Sequence, residues 1–486
     1  MTDLSLLAGL RIGVVGLGKE GQALALYLAN HGLPVTATDS KPAEHFGESV
    51  TALAAAGITL SLGDHPLTLL DEVDILFVSP GVPLEIPFLQ EAQARKIPLS
   101  TESRLFCHLC PAPIMAVTGS SGKTTTTTLL GKIMEASGRT TWVGGNIGRP
   151  LIEVVDQIEP DDVVVMELSS FQLEYFHARL NKGVEVNALP SQNLAQLATL
   201  LDNWSPPIGA ILNITPNHLD RHPSMKHYVQ AKRGIVDYQH GERCLIMSLD
   251  NDMTRTIGNQ FGAATRWFSV EARRANGAGL MGDTLALFDP DNTPQPLANR
   301  QEIKLRGLHN LSNILAACLI AREGGASIEA MRQVITTFTG VPHRLQLVRE
   351  LNGVTYINDS IATTPERIIA ALHAFDEPIV LLAGGRDKHL PWEDAARLIH
   401  HKVRHLVIFG EDAALIARAV DHARRDVSTS RLNVHRATDL AEAVTMAAQV
   451  ATPGDVVLLS PGCASFDAFS NYVERGESFE AFVNQL

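Results

Sequence analysis

The residues with the clearest chemical potential lie in the stretch 113–130, PIMAVTGSSGKTTTTTLL. A short apolar run ends in a Gly/Ser loop and a helix-prone run follows, a joint that directs backbone N–H groups and a helix N-terminus at a phosphate. Lys123 can then reach the terminal phosphates, and the Thr124 hydroxyl can bind Mg²⁺. The alternative interpretation is a Gly/Ser turn followed by a solvent-facing lysine. We therefore predict ATP binding. The predicted ATP loop comprises Gly119, Ser120, Ser121, Gly122, Lys123, Thr124 and Thr125.

A second glycine-rich loop lies near the N-terminus. The predicted strand 11–15 leads into GLGKEG at 16–21 and a helix to about Asn30, and the next predicted strand, 35–39, ends on an acid. This spacing is that of a dinucleotide-binding fingerprint, although many sheets use such a turn only for close helix packing. Two phosphate loops on two sheets favour an ATP-driven enzyme with a nucleotide-linked substrate over an NAD-dependent dehydrogenase.

Metal-binding side chains follow two strands of the second predicted unit. Glu167 ends the strand 163–166, where a carboxylate can hold the Mg²⁺ that Thr124 also binds, or can simply cap the strand. His218 follows the predicted strand 211–214, in a tight cluster with Asp220 and Arg221. Because carboxyl ends of parallel strands share one sheet edge, we expect these groups to lie together.

Further candidates lie on helices and on loops of the third unit. Lys232 falls on a predicted helix, where the pattern alone suggests a solvated lysine. Asn310 and Asn313 share one helix face and could contact an adenine edge, with N-capping as an equally good explanation. The polar positions that follow strands in the third unit, and so should gather at one sheet edge, are Arg344, 358–360, 384–388 and 460–465.

The length and the alternation of strands and helices predict an α/β fold of three domains. At 486 residues the chain exceeds a single core. Alternating strands and helices indicate mostly parallel sheets: a Rossmann-like domain at 1–110, a central P-loop ATPase domain at 111–340 and a second Rossmann-like domain at 341–486. Between two central strands, the weakly patterned stretch 180–207 suggests an inserted segment with one short helix.

Composition excludes several protein classes. A hydrophobic fraction of 45% and a charged fraction of 19% are typical of a soluble globular protein, and the net charge of −13 argues against a nucleic-acid-binding surface. There is no apolar run of membrane-spanning length and no basic segment before the first strand, so we expect a cytoplasmic protein. Cys107 and Cys110 form an isolated C-x-x-C, for which packing is the simpler explanation than a metal or redox role.

The motifs together resemble the Mur ligase family of peptidoglycan synthesis, and in particular its glutamate-adding members. The resemblance spans essentially the whole chain. It is carried by VTGSSGKTT (117–125), GGNIG (144–148), ELSSFQLE (167–174), LNITPNHLDRH (212–222), GLHNLSN (307–313), PHR (342–344), NDS (358–360), GGRDK (384–388) and LSPGCASFDAF (459–469).

The resemblance implies a role for each candidate residue. Two Mg²⁺ ions are expected, one on Thr124 and Glu167 and the other on His218 and a carbamylated Lys232. The expected ATP contacts outside the loop are Asn310, Asn313, Arg344 and Asp359. The expected contacts to the UDP-linked substrate are Gly18, Lys19, Glu20, Ser40, Lys41, Asn146 and Ser169. The expected glutamate contacts are Thr363, Lys388, Ser465 and Tyr472, the last in place of the usual phenylalanine.

The same resemblance implies acyl activation in cell-wall synthesis by a monomer. The carboxylate of UDP-N-acetylmuramoyl-L-alanine would attack the ATP γ-phosphate, and glutamate would then attack the acyl phosphate, with Lys123, His218 and Lys232 as the catalytic groups. Lys123 and the metals would neutralise charge during phosphoryl transfer. A folylpolyglutamate synthetase-like ligase shares the central ATPase but not the N-terminal domain or GGNIG, and a non-catalytic nucleotide sensor need not keep the second metal site.

The chain departs from the family pattern at two places. The family loop N-D-S-K-A-T-N appears here as NDSIATT, so Ile361 replaces a lysine where the incoming amino acid binds. Losing this cation could reposition the side-chain carboxylate of glutamate, which keeps L-glutamate open as an alternative to the favoured D-isomer. The second departure is the insertion around 180–202, for which the sequence suggests no function.

Overall fold

The computed structural model describes residues 3–217, 221–241, 243–305, 307–388, 390–426 and 431–486. The described residues form three sheets with helices between the strands, which confirms the α/β prediction. The chain divides into two compact units, Met1–Phe338 and Thr339–Leu486, and the division lies two residues from the predicted boundary at 340/341. The boundary at 110 stays a prediction. Of the helices that the structure describes, none combines the length and apolar character needed to cross a bilayer.

The first sheet has five parallel strands in the order β3-β2-β1-β4-β5. Strands β1 and β4 are buried along their whole length, as expected for central strands of a sheet covered on both faces. The strands are β1 (Ile12–Val15), β2 (Val35–Asp39), β3 (Thr59–Leu62), β4 (Ile75–Val78) and β5 (Leu99–Ser100). The helices are α1 (Lys19–Asn30), α2 (Glu48–Ala55), α3 (Pro87–Ala94) and α4 (Glu102–Leu109).

The second sheet has nine strands in the order β14-β13-β12-β11-β10-β9-β6-β8-β7, parallel except for the antiparallel meander of the last three strands in sequence. The strands are β6 (Ile114–Thr118), β7 (Thr141–Gly145), β8 (Val163–Glu167), β9 (Ile208–Ile211), β10 (Cys244–Ser248), β11 (Thr265–Phe268), β12 (Gly277–Met281), β13 (Thr284–Phe288) and β14 (Pro294–Asn299). The helices are α5 (Lys123–Ala136), α6 (Ser170–Glu174), α7 (Leu194–Leu201), α8 (Met225–Arg233), α9 (Asp252–Asn259), α10 (Leu308–Glu323) and α11 (Ile328–Thr337).

One strand prediction was wrong. The strand expected at 211–214 is β9, Ile208–Ile211, three residues earlier. Apolar Leu212 and Ile214 extended the pattern, but the paired register with β6 ends at Ile211, and the Asn213 side chain hydrogen-bonds the predicted ATP loop. Residues 212–215 therefore line the loop.

The third sheet belongs to the second unit and has the order β15-β16-β20-β17-β18-β19, with only the β15–β16 pair antiparallel. Alternate residues of its strands face two separate cores, so that Leu381 packs on one side while Val380 and Leu382 pack on the other. The strands are β15 (Gln346–Leu351), β16 (Val354–Asn358), β17 (Ile379–Gly384), β18 (Val403–Phe409), β19 (Asn433–Arg436) and β20 (Val456–Gly462). The helices are α12 (Pro365–Leu372), α13 (Glu393–Lys402), α14 (Ala413–Ala423), α15 (Leu440–Val450) and α16 (Tyr472–Asn484).

The inserted segment 180–207 joins the first two sheets. It contains one α-helix, α7, and short 3₁₀ turns. The Asn181 side chain accepts from the backbone N–H of Leu99 at 2.8 Å and donates to its carbonyl at 3.1 Å, in β5. The buried Arg104 of α4 donates to the carbonyls of Thr199 and Asp202. These bonds tie β5 and α4 to the inserted segment within the unit of the first 338 residues.

The surroundings of Cys107 and Cys110 agree with a role in packing. Cys107 is buried with its sulfur 3.7 Å from Met166 Sδ, and the Cys110 thiol donates to the Ala112 carbonyl at 3.5 Å. Burial raises the pKa of both thiols, which keeps them protonated and unreactive.

Candidate active site on the central sheet

The predicted ATP loop, residues 119–125, connects β6 to the N-terminus of α5 and packs against α10. Gly122 caps α5 with φ +80°, a left-handed conformation that glycine adopts without strain. A Cβ at this position would lie 2.3 Å from Oδ1 of Asn313, so a larger residue would displace the loop from α10. Asn313 is buried and donates to Oδ1 of Asn310 at 3.2 Å, which places both amides on one face of α10 beside the loop.

The segment after β9 clamps the same loop. Asn213 accepts from the backbone N–H of Ser121 at 2.9 Å, and its amide donates to the Ser121 carbonyl at 3.2 Å. Ser120 Oγ donates to the Thr215 carbonyl at 3.0 Å and lies 2.9 Å from the Tyr228 hydroxyl. The loop is therefore held on both sides, as pre-organised phosphate binding requires.

Two lysine ammonium groups converge on one carbonyl of this loop. Lys123 Nζ donates to the Gly119 carbonyl at 3.0 Å, and Lys232 Nζ donates to the same oxygen at 2.9 Å and to Thr118 Oγ1 at 3.2 Å. Lys232 is 1% exposed, so it is not the solvated lysine that the pattern suggested. Burial, and then the nearby charge of Lys123, lower the pKa of Lys232 well below its ordinary value. Both amino groups therefore lie at the loop where a phosphate is expected.

The Glu167 carboxylate at the end of β8 is arranged for a cation. Glu167 is 1% exposed, and its Oε1 accepts from Asn146 Nδ2 at 2.7 Å. The other oxygen, Oε2, is buried without a hydrogen-bond partner in the structure. A buried anionic oxygen left unpaired is costly, and a cation removes that cost. Glu167 also lies close enough to Lys232 to raise its pKa, against the effect of burial.

The glycine-rich loop of the first sheet has the fingerprint geometry. A Cβ on Gly21 would lie 1.9 Å from the Gly16 carbonyl, so the third glycine permits close packing of α1. Asp39 accepts from the backbone N–H of Leu17 at 2.6 Å, which ties the loop to β2. A Cβ on Gly18 would meet nothing within 4 Å, which leaves room for a ligand. Lys19 Nζ donates to the Gly148 carbonyl at 3.0 Å and so links this loop to GGNIG.

Glu20 of the same loop turns inward. Its Oε1 accepts from Gln172 Nε2 at 2.9 Å, while its Oε2 is buried and unpartnered. Burial, together with the charge of nearby Glu102, raises the pKa of Glu20. The side chain predicted to contact the substrate thus packs at the junction of the first and second sheets.

The remaining predicted residues of the first unit have varied surroundings. Ser169 caps α6, accepting from the backbone N–H of Gln172 at 3.2 Å. Lys41 Nζ lies 3.0 Å from His45 Nε2, and Ser40 is exposed. Arg221 donates to the Gly81 carbonyl at 3.1 Å. Two of the predicted residues, His218 and Asp220, lie outside the described residues.

In the second unit, Asp359 follows β16 and is fully enclosed. Its carboxylate accepts from the backbone N–H of Leu345 at 3.1 Å and from Ser460 Oγ at 3.0 Å. Burial raises the pKa of Asp359 to about 7, against the opposing effects of these hydrogen bonds and of Arg344. The structure therefore brings Arg344 and Asp359 together.

A group of cations surrounds the loop that departs from the family pattern. Lys388 Nζ donates to Thr363 Oγ1 at 3.1 Å. Arg367 of α12 donates to the carbonyl of Ile361 at 2.9 Å, the position at which the family lysine is missing. Burial, and then the charges of Arg367 and of buried Arg475, lower the pKa of Lys388, as expected when cations crowd together without an anion.

Ser465 and Tyr472 flank the segment that follows β20. Ser465 is buried, and Tyr472 is 37% exposed with its ring edge-on to His343. Arg475 anchors this region by donating to the Ser360 carbonyl at 2.8 Å and to the Cys463 carbonyl at 3.1 Å.

Sequence reasoning missed four residues of these sites. Asn213 and Gln172 lie inside the motifs 212–222 and 167–174, and only their long-range hydrogen bonds show that they hold neighbouring segments together. Arg367 and Arg475 lie on helices, where arginine by itself is commonplace. The sequence contains only an indirect signal for these two arginines. Because the family lysine is missing at position 361, the expected glutamate ligand, which has two carboxylates, lacks one cationic partner.

Three family models match the chain. They describe a Mur ligase MurD-like N-terminal domain at residues 10–101, a Mur ligase middle domain at 117–321 and a Mur ligase glutamate ligase domain at 343–463. Among solved structures, UDP-N-acetylmuramate-alanine ligase MurC of Thermotoga maritima aligns with TM-score 0.54 at 17% identity, covering 98% of this chain and 99% of its own. MurF of Acinetobacter baumannii aligns with TM-score 0.54 at 17% identity, covering 97% and 93%. These structures share the fold.

Closer relatives are found by sequence. The UDP-N-acetylmuramoylalanine–D-glutamate ligase of Symbiobacterium thermophilum is 41% identical over 480 residues, covering 98% of both chains. The proteins of the same name from Clostridium kluyveri and Clostridium novyi are each 38% identical over 476 residues, covering 98% of this chain and 97% and 96% of their own. Matches of this identity and coverage, on a chain with this fold and phosphate loop, show that the protein belongs to the Mur ligase family.

Proposed function

We propose that this chain is the ATP-dependent ligase that joins D-glutamate to UDP-N-acetylmuramoyl-L-alanine in peptidoglycan synthesis. The observation that carries the proposal is the convergence of Lys123 and Lys232 on the Gly119 carbonyl. Lys123 can neutralise the γ-phosphate that is transferred, and Lys232 lies beside it as a candidate metal ligand. The name and full-length coverage of the relatives support the acceptor and the amino acid.

The mechanism begins with phosphoryl transfer. The substrate carboxylate attacks the γ-phosphorus, the bond to the β-phosphate oxygen breaks, and ADP leaves with an acyl phosphate formed. Lys123 stabilises the negative charge that the transferring group carries, and the backbone N–H groups of the loop orient the phosphates. The glutamate amine then attacks the acyl carbon, loses a proton and expels inorganic phosphate.

Glu167 and Thr124 are proposed to hold one Mg²⁺, and His218 and Lys232 the second. The unpartnered Oε2 of Glu167 fits a hard cation. Bound Mg²⁺ supplies charge neutralisation for the phosphates. Lys232 fits carbamylation because burial lowers its pKa and so increases the share of the neutral amine, the form that reacts with CO₂, and the carbamate carries anionic oxygens.

The amino acid is proposed to bind beside Thr363, Lys388, Ser465 and Tyr472, while Arg344 and Asp359 contact the nucleotide. Arg367 replaces the positive charge of the missing lysine, since its guanidinium donates a hydrogen bond to the carbonyl of Ile361. A planar guanidinium binds a carboxylate with two parallel hydrogen bonds, which a lysine cannot do. The replacement therefore keeps the charge but changes the geometry of recognition.

The UDP-linked substrate is proposed to lie along the loop of 16–21 and GGNIG. Open space at Gly18 and the link between Lys19 and Gly148 support a shared cradle there. Asn146 is proposed to contact the muramoyl part, with Ser40, Lys41 and Ser169 as further substrate contacts and Glu20 as a support behind the loop. We place the reaction in the cytoplasm, since the five free cysteines fit a reducing compartment, and we take a monomer as the working unit.

The test is ADP formation with UDP-N-acetylmuramoyl-L-alanine, ATP, Mg²⁺ and either D-glutamate or L-glutamate. We expect turnover with the D-isomer and formation of the amide product by mass spectrometry. Turnover with L-glutamate alone would assign the other isomer. ATP turnover with neither isomer, or activity with a folate acceptor instead, would refute the proposed substrates.

A further inference from the structure

A cluster of two histidines and one glutamate shares no residue with the set of Mg²⁺ ligands proposed above. Glu174 ends α6, and His222 and His227 flank the start of α8. The two Nδ1 atoms are 3.1 Å apart, and each lies 3.4 Å from Oε1 of Glu174. It is the one group of three metal-ligand side chains at such distances among the described residues.

The three distances match the edges of a tetrahedral coordination sphere. Metal–nitrogen and metal–oxygen bonds of about 2.0–2.1 Å at tetrahedral angles place neighbouring ligand atoms about 3.3 Å apart. Hydrogen bonding alone does not account for the cluster. A proton shared between the two imidazoles explains only the short contact between their Nδ1 atoms, and both distances to Glu174 exceed those of an ordinary hydrogen bond, about 2.7–3.2 Å. A cation equidistant from all three atoms satisfies every edge.

The surroundings prepare the imidazoles as ligands. Nε2 of His222 lies 2.8 Å from Ser170 Oγ, and a proton donated there leaves the lone pair on Nδ1. The His222 ring stacks on Phe171 at 5.1 Å between centroids, which fixes its orientation. His222 is 1% exposed and Glu174 is 9% exposed, so their ligand atoms are shielded from bulk water.

We propose that Glu174, His222 and His227 form a site for a divalent transition-metal ion of the zinc class, with three protein ligands and one open position. Two imidazoles and one carboxylate favour Zn²⁺ or Co²⁺ over Mg²⁺, which prefers six oxygen ligands. The fourth position opens to a cavity that His227 and Glu174 line together with Glu85 and Arg221. A small ligand or water therefore completes the coordination.

The ion would connect two helices that serve the proposed active site. Glu174 lies on the helix that follows the strand ending in Glu167, and His227 lies on α8, which carries Lys232. Occupancy therefore fixes α8 against α6 and stabilises the folded state, since the three ligands are brought together only on folding.

The experiment titrates Co²⁺ into metal-stripped protein in excess Mg²⁺, which occupies oxygen-ligand sites, and records visible absorption. We expect one equivalent per chain, the intense spectrum of four-coordinate Co²⁺, its loss when Zn²⁺ is added, and a Tm that rises with Co²⁺ concentration. These readouts do not depend on ligase activity, so the site can fail while the proposed function holds, and the reverse.

The variants are His227→Ala, whose half-exposed side chain can be removed without a large cavity, and Glu174→Gln, which keeps the shape. Both should lose the spectrum and the rise in Tm. His435→Ala is the matched control, because His405 and His435 lie 3.1 Å apart without belonging to such a group of three among the described residues. No saturable tetrahedral spectrum in the parent protein, or an unchanged spectrum in His227→Ala, overturns the proposal.

Discussion

Replacement of Lys123 by alanine tests the phosphate loop directly. Lys123 Nζ is 3.0 Å from the Gly119 carbonyl, at the start of α5, where the proposed γ-phosphate would meet it. The variant loses a charge-assisted hydrogen bond at this partly buried position, worth about 1.5 kcal/mol in stability. It should therefore fold, with a small decrease in Tm.

The expected loss of activity is much larger than the loss of stability. Two unit charges about 4 Å apart attract by about 4 kcal/mol at an effective dielectric constant of about 20. If Lys123 meets the transferring phosphoryl group in this way, its removal lowers kcat by about a thousandfold. Lys232 cannot replace it, because Lys232 is 1% exposed and held by Thr118 and the Gly119 carbonyl.

The assay is ADP formation at saturating substrates, with circular dichroism and Tm as controls for folding. Lys132→Ala is the matched variant, since Lys132 is an exposed lysine of the same helix and should retain full activity. A Lys123→Ala enzyme within tenfold of the parent kcat would refute the assignment of this loop to phosphoryl transfer.

Three further predictions follow from neighbouring groups. Arg367→Ala should raise the KM for glutamate about 10- to 100-fold, because a charge-assisted hydrogen bond to the ligand is lost. Arg367→Lys should recover part of the affinity, and an unchanged KM would exclude Arg367 from the glutamate site. Lys232→Ala should lose most activity and regain part of it with formate or acetate, whereas Lys226→Ala, an exposed position on α8, should behave as the parent. Because burial raises the pKa of Asp359 from 3.8 to about 7, the folded state binds this proton more tightly. The stability it contributes is complete below about pH 4 and is lost as pH rises through about 7. Asp359→Asn should therefore be stabilised relative to the parent at about pH 8 but not at about pH 4 in urea unfolding, and equal pH profiles would contradict this.

The sequence by itself determined the local chemistry of this protein. Uninterrupted apolar runs of strand length, each followed by glycine or polar residues, specify buried parallel strands with loops at their carboxyl ends. The ATP loop, Glu167 at the end of β8 and the asparagine pair on α10 follow from that local order, because each depends on neighbours within a few residues. Strand β9 was misplaced because an apolar pattern does not show where pairing with the neighbouring strand begins and ends.

Only the tertiary structure decided which distant groups meet. The pKa of Lys232 depends on burial and on Lys123, more than a hundred residues away in sequence, so no local pattern distinguishes it from a solvated lysine. Likewise, Glu174 and His227 come together through the packing of α6 on α8. The physical reason is that burial and electrostatic interaction depend on distance in space, whereas propensity and periodicity depend on separation along the chain.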